Sequence, residues 1–514
     1  MIRVLTGSEM AAADAWAQKE LGLAGLVLME NAGRETAAAA HARFGVSSRL
    51  AVVCGPGNNG GDGLAAARHL ALAGHEVMIW LGADPGAYRG DALVNLGVAQ
   101  KLGLPVRCIP ADLGGFGQAL AWADAVIDAY FGTGFRGEPR PGPAGVLRAV
   151  NEAGRPVLAV DIPSGVEADT GAVRGEAVRA SLTVTFACPK LGCLLYPGAA
   201  HCGELLTAPI SLPLPPAGGS RRFLAEAGDV RAVLPRRPRD AHKGDNGRVL
   251  IVGGSAGLTG APVLAALGAL RSGAGLVTAA VPAIPFAEKP AEVMLAVLPA
   301  GPDGCFGEGA ARAIPALLAR ADVVAVGPGL GQGKHARALL DGLLEAWRGP
   351  LVLDADALNL LAAGGGPGGG HAGWVLTPHP GEMARLCGVS VAEIQADRVG
   401  WAERFAAAWG AVVVLKGVPT VTAAPSGETW LNPTGDPAMA TGGMGDVLAG
   451  AVAGLIGQGL APGQAAMAGA YLHGLAGQLA VADLGGPGIL AREAADRLPA
   501  AAEKVRAGCV ATPI

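Results

Sequence analysis

Leu50-Ala-Val-Val-Cys-Gly-Pro-Gly-Asn-Asn-Gly-Gly-Asp-Gly63 joins a short apolar run to a glycine-rich stretch, and a helical pattern over 64–73 follows it up to Gly74. The run Leu50–Val53 has no polar alternation, so it reads as a strand buried on both faces. A strand that passes through glycines into a helix is the local grammar of a parallel α/β sheet. It also makes an anion site, because the first N–H groups of the helix have no partner within it and the helix dipole favours negative charge there. The glycines do not follow the usual G-x-G-x-x-G spacing, and the paired Asn58 and Asn59 add side-chain amides to the turn.

The same grammar recurs outward from this stretch. Ala125-Val-Ile127 leads to Asp128 and then to Gly132-Thr-Gly-Phe-Arg-Gly-Glu138, and Val157–Val160 leads to Asp161-Ile-Pro-Ser164. In open α/β sheets the site lies at the carboxyl ends of the strands. Asn58, Asn59, Asp62, Asp128, Asp161 and Ser164 are therefore expected in one cleft. Each alone also fits a strand-end cap or an Asx-turn; their matching topological positions favour a site. Oxygen donors without His or Cys suit a hard cation.

The second half repeats the pattern with other motifs. Arg248–Val252, Val323–Val326, Leu351–Leu353, Trp374–Leu376 and Val412–Leu415 read as strands, and 418–423 with 428–431 as a hairpin. They lead into Gly253–Pro262, Gly327-Pro-Gly329-Leu-Gly331, Asp354-Ala-Asp356-Ala-Leu-Asn359, Thr377-Pro-His379-Pro-Gly-Glu382 and Lys416-Gly-Val-Pro-Thr420. Pro262 suits a first helical turn, with the helix running over 263–271. Lys416 at a strand end is a natural phosphate clamp, and His379 between two prolines is expected to face a cleft.

Asn432-Pro-Thr-Gly-Asp-Pro-Ala-Met-Ala-Thr-Gly-Gly-Met-Gly-Asp446 precedes the apolar helical run Val447–Ile456. Its glycines open a helix N-terminus to a phosphate. Asp446, on the first turn, is a poor ligand for that anion because like charges repel. Its useful role is to take the proton of a hydroxyl that attacks the phosphate. The alternative is a glycine loop with Asp446 as a cap.

At 514 residues the chain is too long for one core, and 51% hydrophobic against 16% charged residues describes a well-buried globular protein. A net charge of −4 argues against nucleic-acid and membrane-surface partners. The segment Met1–Met10 lacks a signal-peptide apolar core and no stretch reads as a membrane span, so a cytoplasmic location is expected. Eight cysteines fit free thiols, and the spacing of Cys188, Cys193, His201 and Cys202 is not that of a zinc site. The Pro/Gly-rich segment 211–220 marks a domain boundary at 216/217, a Pro/Arg-rich patch runs from Pro235 to Asp240, and 364–370 reads as a surface loop.

These motifs together resemble a known family. Gly253-Gly-Ser, Gly260-Ala-Pro, Arg271-Ser-Gly-Ala-Gly-Leu-Val-Thr, Gly327-Pro-Gly-Leu-Gly, Asp354-Ala-Asp-Ala-Leu-Asn, Leu376-Thr-Pro-His-Pro-Gly-Glu, Lys416-Gly and Gly442-Gly-Met-Gly-Asp-Val-Leu resemble the NAD(P)H-hydrate dehydratase branch of the ribokinase-like superfamily. Met29-Glu-Asn-Ala-Gly-Arg, Asn58-Asn-Gly-Gly-Asp-Gly, Gly132-Thr-Gly-Phe-Arg-Gly and Asp161-Ile-Pro-Ser-Gly resemble the NAD(P)H-hydrate epimerase domain. The likeness spans roughly residues 8–500, with many motifs in one order. It implies an α/β protein of two domains: a Rossmann-like three-layer αβα sandwich over 1–216 and a ribokinase-like α/β domain over 217–514.

What the resemblance implies is repair of NADH hydrate and NADPH hydrate. The second domain would phosphorylate the carbon-6 hydroxyl of the S hydrate from ADP, with magnesium, giving AMP and phosphate; the first would interconvert the epimers. Asp446 would be the base, and the backbone of Gly442–Gly445 would hold the transferred phosphate. Lys416, Gly417, Val418, Pro419, Thr420 and Gly445 would hold the nucleotide, while Ala261, Gly329, His379 and Asp446 would line the hydrate pocket. In the first domain Asn58, Asn59, Gly60, Gly61 and Asp62, with Gly132, Thr133, Gly134, Phe135, Arg136, Gly137 and Glu138, would bind the dinucleotide. Asn59, Asp128 and Ser164 would hold potassium, and Asp161 would be the acid/base and touch the same ligand. A homo-oligomer is expected. Two positions depart from the family pattern: Arg136, where some relatives carry Lys, and Met444, where Thr is usual. Arg136 cannot donate a proton near neutrality, so its expected role is electrostatic. The rival readings are a kinase of a small hydroxymethyl heterocycle and a first domain that only binds.

Overall fold

The structure, a computed structural model, describes residues 1–215, 220–286, 288–364 and 370–510. The chain forms two compact units, a first over Ile2–Arg221 and a second from Arg222 onward. The boundary expected at 216/217 and most of the expected 364–370 loop lie outside the described residues.

In the first unit β1 (Arg49–Cys54), β2 (Glu76–Leu81), β3 (Val106–Cys108), β4 (Ala125–Ala129), β5 (Val157–Val160), β6 (Leu182–Phe186) and β7 (Glu204–Ala208) form one sheet. Its order is β3-β2-β1-β4-β5-β6-β7, parallel throughout. Along β1, Leu50 and Val52 enter one apolar cluster and Ala51 and Val53 the other. The apolar run in the sequence is thus the signature of a sheet covered on both faces, each buried Val or Leu contributing about 1.5–3 kcal/mol. The chain order reverses between β1 and β4, which opens a crevice at their carboxyl ends.

One expectation needs correction here. The stretch after β1 is not a long turn: the helix runs over Asn58–Leu72, so Asn58–Gly63 form its first turns. The glycines serve close packing. A Cβ on Gly60 would lie 1.7 Å from the carbonyl oxygen of Gly55, and one on Gly63 would lie 2.5 Å from Ala129 Cβ on β4. Helix propensity alone disfavours such a glycine-rich start, and tertiary packing overrides it.

In the second unit β8 (Arg222–Leu224), β9 (Arg248–Val252), β10 (Leu276–Pro282), β11 (Met294–Leu298), β12 (Val323–Val326), β13 (Leu351–Leu353), β14 (Trp374–Leu376), β15 (Val412–Leu415), β16 (Thr420–Ala423) and β17 (Thr429–Asn432) lie in the order β8-β17-β16-β15-β14-β13-β12-β9-β10-β11. The sheet is parallel except at β15–β16 and β16–β17, the expected hairpin. Among the helices that pack on it are Gly260–Ser272 and Met444–Gly457, each starting three residues before the apolar pattern does. Both approach closely through glycine: a Cβ on Gly450 would lie 1.8 Å from the carbonyl oxygen of Ala265, and one on Gly268 would lie 2.3 Å from that of Val447. No helix among the described residues is long and apolar enough to cross a membrane.

Candidate functional sites

The second unit gathers its motifs around the start of Met444–Gly457. Gly443 is the N-cap in the left-handed region at φ 90°, and a Cβ there would lie 2.5 Å from Leu264 Cδ1. Only glycine meets both demands, and it leaves the N–H groups of Met444, Gly445 and Asp446 without intrahelical acceptors. The Lys416 ammonium lies 3.3 Å from where a Gly445 Cβ would be, so it faces the same space. Lys416 Nζ pairs with Asp354 at 2.8 Å and approaches Glu382 at 3.7 Å. Burial alone would lower the pKa of Lys416, but Asp354 and Glu382 hold it above its ordinary value. Asp354 is 2% exposed and also accepts from Thr377 Oγ1 at 2.7 Å.

Asp446 has no hydrogen-bond or ion-pair partner among the described residues. Burial, then the neighbouring Asp354 charge, pushes its pKa up to about 7. A carboxylate so placed is a weak ligand and a competent base near neutrality. Asp356 anchors the opposite wall by accepting from the Gly331 N–H at 2.9 Å, and Gly329 and Ala261 meet there, a Cβ on the former falling 3.2 Å from that of the latter.

His379 caps the helix Pro380–Cys387, its Nδ1 accepting from the Gly381 N–H at 2.9 Å, so Nε2 carries the proton when the ring is neutral. Burial, then Lys416, lowers its pKa. Half of the side chain is open to solvent.

Beneath the Lys416–Thr420 loop lies Arg398, which carried no signal in the sequence. It is 6% exposed, with no carboxylate partner among the described residues. Its guanidinium donates to the carbonyls of Lys416 at 3.2 Å and Pro419 at 3.1 Å, and burial lowers its pKa to about 10. Turning those carbonyls inward fixes the shape of the loop. Arg398→Met removes the donor to these part-buried carbonyls and loosens the loop. The expected outcome is an approximately tenfold rise in the KM for nucleotide, about 1.4 kcal/mol, with a smaller change in kcat. Initial rates over a nucleotide titration check this.

In the first unit Asn59, Asp128 and Ser164 meet around the carbonyl of Phe131. Asn59 Nδ2 donates to that carbonyl at 2.8 Å, and Ser164 Oγ and N–H donate to Asp128 at 2.6 and 2.8 Å. Asp128 is 1% exposed, has no cationic partner among the described residues, and is pushed up to about 6 by burial. Asn58 is exposed.

Asp161 shares no hydrogen bond with this trio among the described residues. It holds a left-handed backbone at φ 66°, a strained state for a non-glycine residue. Lys190 Nζ and the Phe186 N–H (3.1 Å) donate to Oδ1, with Thr185 Oγ1 at 3.3 Å. Oδ2 has no partner among the described residues. Lys190, also missed in the sequence, is wholly buried and spends its remaining N–H groups on Thr185 Oγ1 and the Phe186 carbonyl. It follows β6, so the strand-end rule applied to Leu182–Phe186 would have found it. Asp14 and Asp62 share the electrostatics. Burial raises Asp14 to about 6 and holds Asp62 well above the ordinary range, and the Asp161 charge adds to both.

Arg136 closes its own loop, donating to the carbonyls of Thr133 and Phe135 and pairing with Asp169 at 2.6 Å. Gly137 N–H donates to Glu167 at 2.9 Å, and Phe135 stacks on Phe131.

Residues 249–500 match the family model for NAD(P)H-hydrate dehydratase, and residues 25–192 that for the YjeF-related protein N-terminus. The chain is 47% identical to the bifunctional NAD(P)H-hydrate repair enzyme Nnr of Moorella thermoacetica, over 96% of each chain. It is 38% identical to that of Escherichia coli, over 92% of this chain and 88% of the other. Among solved structures, the ADP/ATP-dependent NAD(P)H-hydrate dehydratase of Bacillus subtilis, co-crystallised with ATP and Mg2+, aligns at 34% identity with a TM-score of 0.45, over 55% of this chain and 98% of that one.

Proposed function

This chain belongs to the bifunctional NAD(P)H-hydrate repair enzyme family, and on that premise we propose how its own residues divide the work. It is a two-domain α/β enzyme, with a Rossmann-like first domain and a ribokinase-like second, that restores NADH and NADPH from their hydrates. We assign 1–216 to epimerisation and 217–514 to dehydration.

In the second domain the observation that carries the reading is Asp446, unpartnered and near-neutral in pKa, on the first turn of a glycine-opened helix. The carbon-6 hydroxyl of the S hydrate gives its proton to Asp446 as its oxygen takes the terminal phosphoryl group of ADP. The free N–H groups of residues 444–446 and the Lys416 ammonium stabilise the charge on the transferred group. The ring nitrogen then expels phosphate, a far better leaving group than hydroxide, and loss of a carbon-5 proton from the resulting iminium restores the ring double bond. Ala261, Gly329 and His379 line the hydrate pocket, and Lys416–Thr420 and Gly445 hold the nucleotide. Met444 points into the core, so the absent threonine hydroxyl leaves the backbone donors intact.

Magnesium fits this site as an ion carried by the nucleotide. No cluster of three metal-ligating side chains exists among the described residues, and Glu382 and Asp446 both have raised pKa values in a carboxylate-rich cleft. Glu382 or Asp354 would hold the ion with phosphates and waters; it neutralises phosphate charge.

In the first domain Asp161 Oδ2 moves the proton for epimerisation while Oδ1 stays anchored to Lys190. The dinucleotide lies on Asn58–Asp62 and Gly132–Glu138. Potassium fits the trio of Asn59, Asp128 and Ser164, because Asp128 is a buried carboxylate without a cation. A weakly hydrated monovalent ion suits its amide, hydroxyl and carbonyl oxygens better than magnesium, which demands octahedral geometry. Asp128→Ala weakens epimerisation and removes its potassium dependence, while ADP-dependent dehydration of the S hydrate continues. Both rates across a potassium titration decide it; indifference of epimerisation to potassium refutes the assignment.

Cleavage between residues 215 and 220 yields two soluble pieces, since each unit has its own sheet and core. The second piece alone repairs the S epimer efficiently and leaves the R epimer, which chromatography of the two hydrates resolves. The overall reading is tested by incubating the protein with NADH hydrate and ADP or ATP and following NADH absorbance. A phosphorylated substrate that accumulates without NADH would indicate the rival kinase.

A further inference from the structure

The second unit carries a solvent-open groove of about 790 Å3 that the repair reaction does not use, and the arginines along it are exposed. Five arginines line it, Arg231, Arg236, Arg237, Arg271 and Arg506, against one carboxylate, Glu503. The whole chain has a net charge of −4, so this is a local reversal of sign.

Little inside the protein neutralises these groups. Arg271 pairs with Asp496 at 2.7 Å, and Arg506 approaches Glu503 at 3.6 Å. Arg231, Arg236 and Arg237 have no carboxylate within ion-pair distance among the described residues. Arg237 donates to the Gly273 carbonyl, and Arg506 to that of Pro235 at 3.3 Å. Each such bond uses one of five guanidinium donors, and capping of helix ends therefore leaves most of them open. The fork of a guanidinium matches phosphate oxygens two at a time. The groove also has an apolar side, made by Leu234, Leu270 and Ala502, and its volume is that of a small-molecule site.

The place in the fold separates it from the transfer site. The helix Gly260–Ser272 carries Ala261, assigned to the hydrate pocket, on its first turn and ends here at Ser272. Met444–Gly457 begins beside Asp446 and ends here at Gln458. Thirteen and fourteen residues put about 20 Å between the two places.

We propose that this groove is a second binding site, for a nucleotide bearing a pyrophosphate, with the phosphates on the arginines and the base or ribose on the apolar wall. Calorimetric titration of the full-length protein tests it, with inorganic pyrophosphate, ADP and a poly-glutamate peptide as probes. In the unsubstituted protein ADP fills two classes of site. In the R231E/R236E variant one class persists, and pyrophosphate affinity at the lost class falls at least tenfold. Turnover of NADH hydrate at saturating ADP is unchanged, because neither arginine touches the transfer site. If charge reversal disturbs folding, R231A/R236A gives the same loss to a smaller degree. A single class of ADP site in the unsubstituted protein, or equal pyrophosphate binding in the variants, overturns the proposal. So does tighter binding of poly-glutamate than of pyrophosphate with the same arginine dependence, which would mark a surface for an acidic protein.

Discussion

Asp446→Asn lowers dehydration of the S hydrate by about 10²-fold or more, the usual scale for loss of a general base. Nucleotide affinity changes little, since the proposed phosphate contacts are backbone N–H groups and Lys416 rather than Asp446. Asparagine keeps the shape of the side chain and cannot take a proton. The pH profile carries a second signature. The pKa of Asp446 is raised to about 7, by burial first and by Asp354 second. Only the ionised form accepts the hydroxyl proton, so kcat/KM rises with pH through about 7 and levels off above it. In Asp446→Asn that rise disappears. Near-normal turnover in the variant, or an unaltered rising limb, removes Asp446 from the role of base.

Asp161→Asn lowers epimerisation by about 10²–10⁴-fold, again the range of acid–base catalysis, and leaves dehydration of the S hydrate untouched. The substitution preserves an oxygen that can still accept from Lys190 and the Phe186 N–H, so the local fold persists. It removes the capacity of Oδ2 to bind and release a proton. Lys190→Met gives a complementary result. Asp161 loses the ammonium that anchors its Oδ1, and epimerisation falls while dehydration of the S hydrate continues. Following the R hydrate by chromatography, with ADP absent, measures epimerisation alone. Loss of both reactions in Asp161→Asn would indicate a structural role for this residue.

The strands read from apolar runs were legible because each is covered on both faces, whereas Met294–Leu298, with Met294, Leu295 and Val297 exposed, was not read. A strand buried on both sides is a plain apolar run, and Arg248–Val252, Val323–Val326, Leu351–Leu353, Trp374–Leu376 and Val412–Leu415 begin and end where their runs do. Helix starts were less legible. Asn58, Gly260 and Met444 open helices ahead of the apolar pattern, since glycines there answer to neighbouring backbone rather than to helix propensity.

The sequence alone determined the α/β class, the parallel grammar and the clustering of polar residues at strand ends, because these follow from local periodicity and from the rule that such sheets bind at their carboxyl edge. It also pointed to Asp446 and Asp161, each lying just past an apolar run or a glycine loop. Tertiary structure decided what those carboxylates experience. The near-neutral Asp446 depends on burial beside Asp354, 92 positions earlier by subtraction of the residue numbers. The anchored Oδ1 of Asp161 depends on Lys190, and the shape of the Lys416–Thr420 loop depends on Arg398 beneath it. Burial and the distance between charges are sums over residues far apart in the chain. No local pattern encodes them, and they exist only once the sheet has brought the strand ends together.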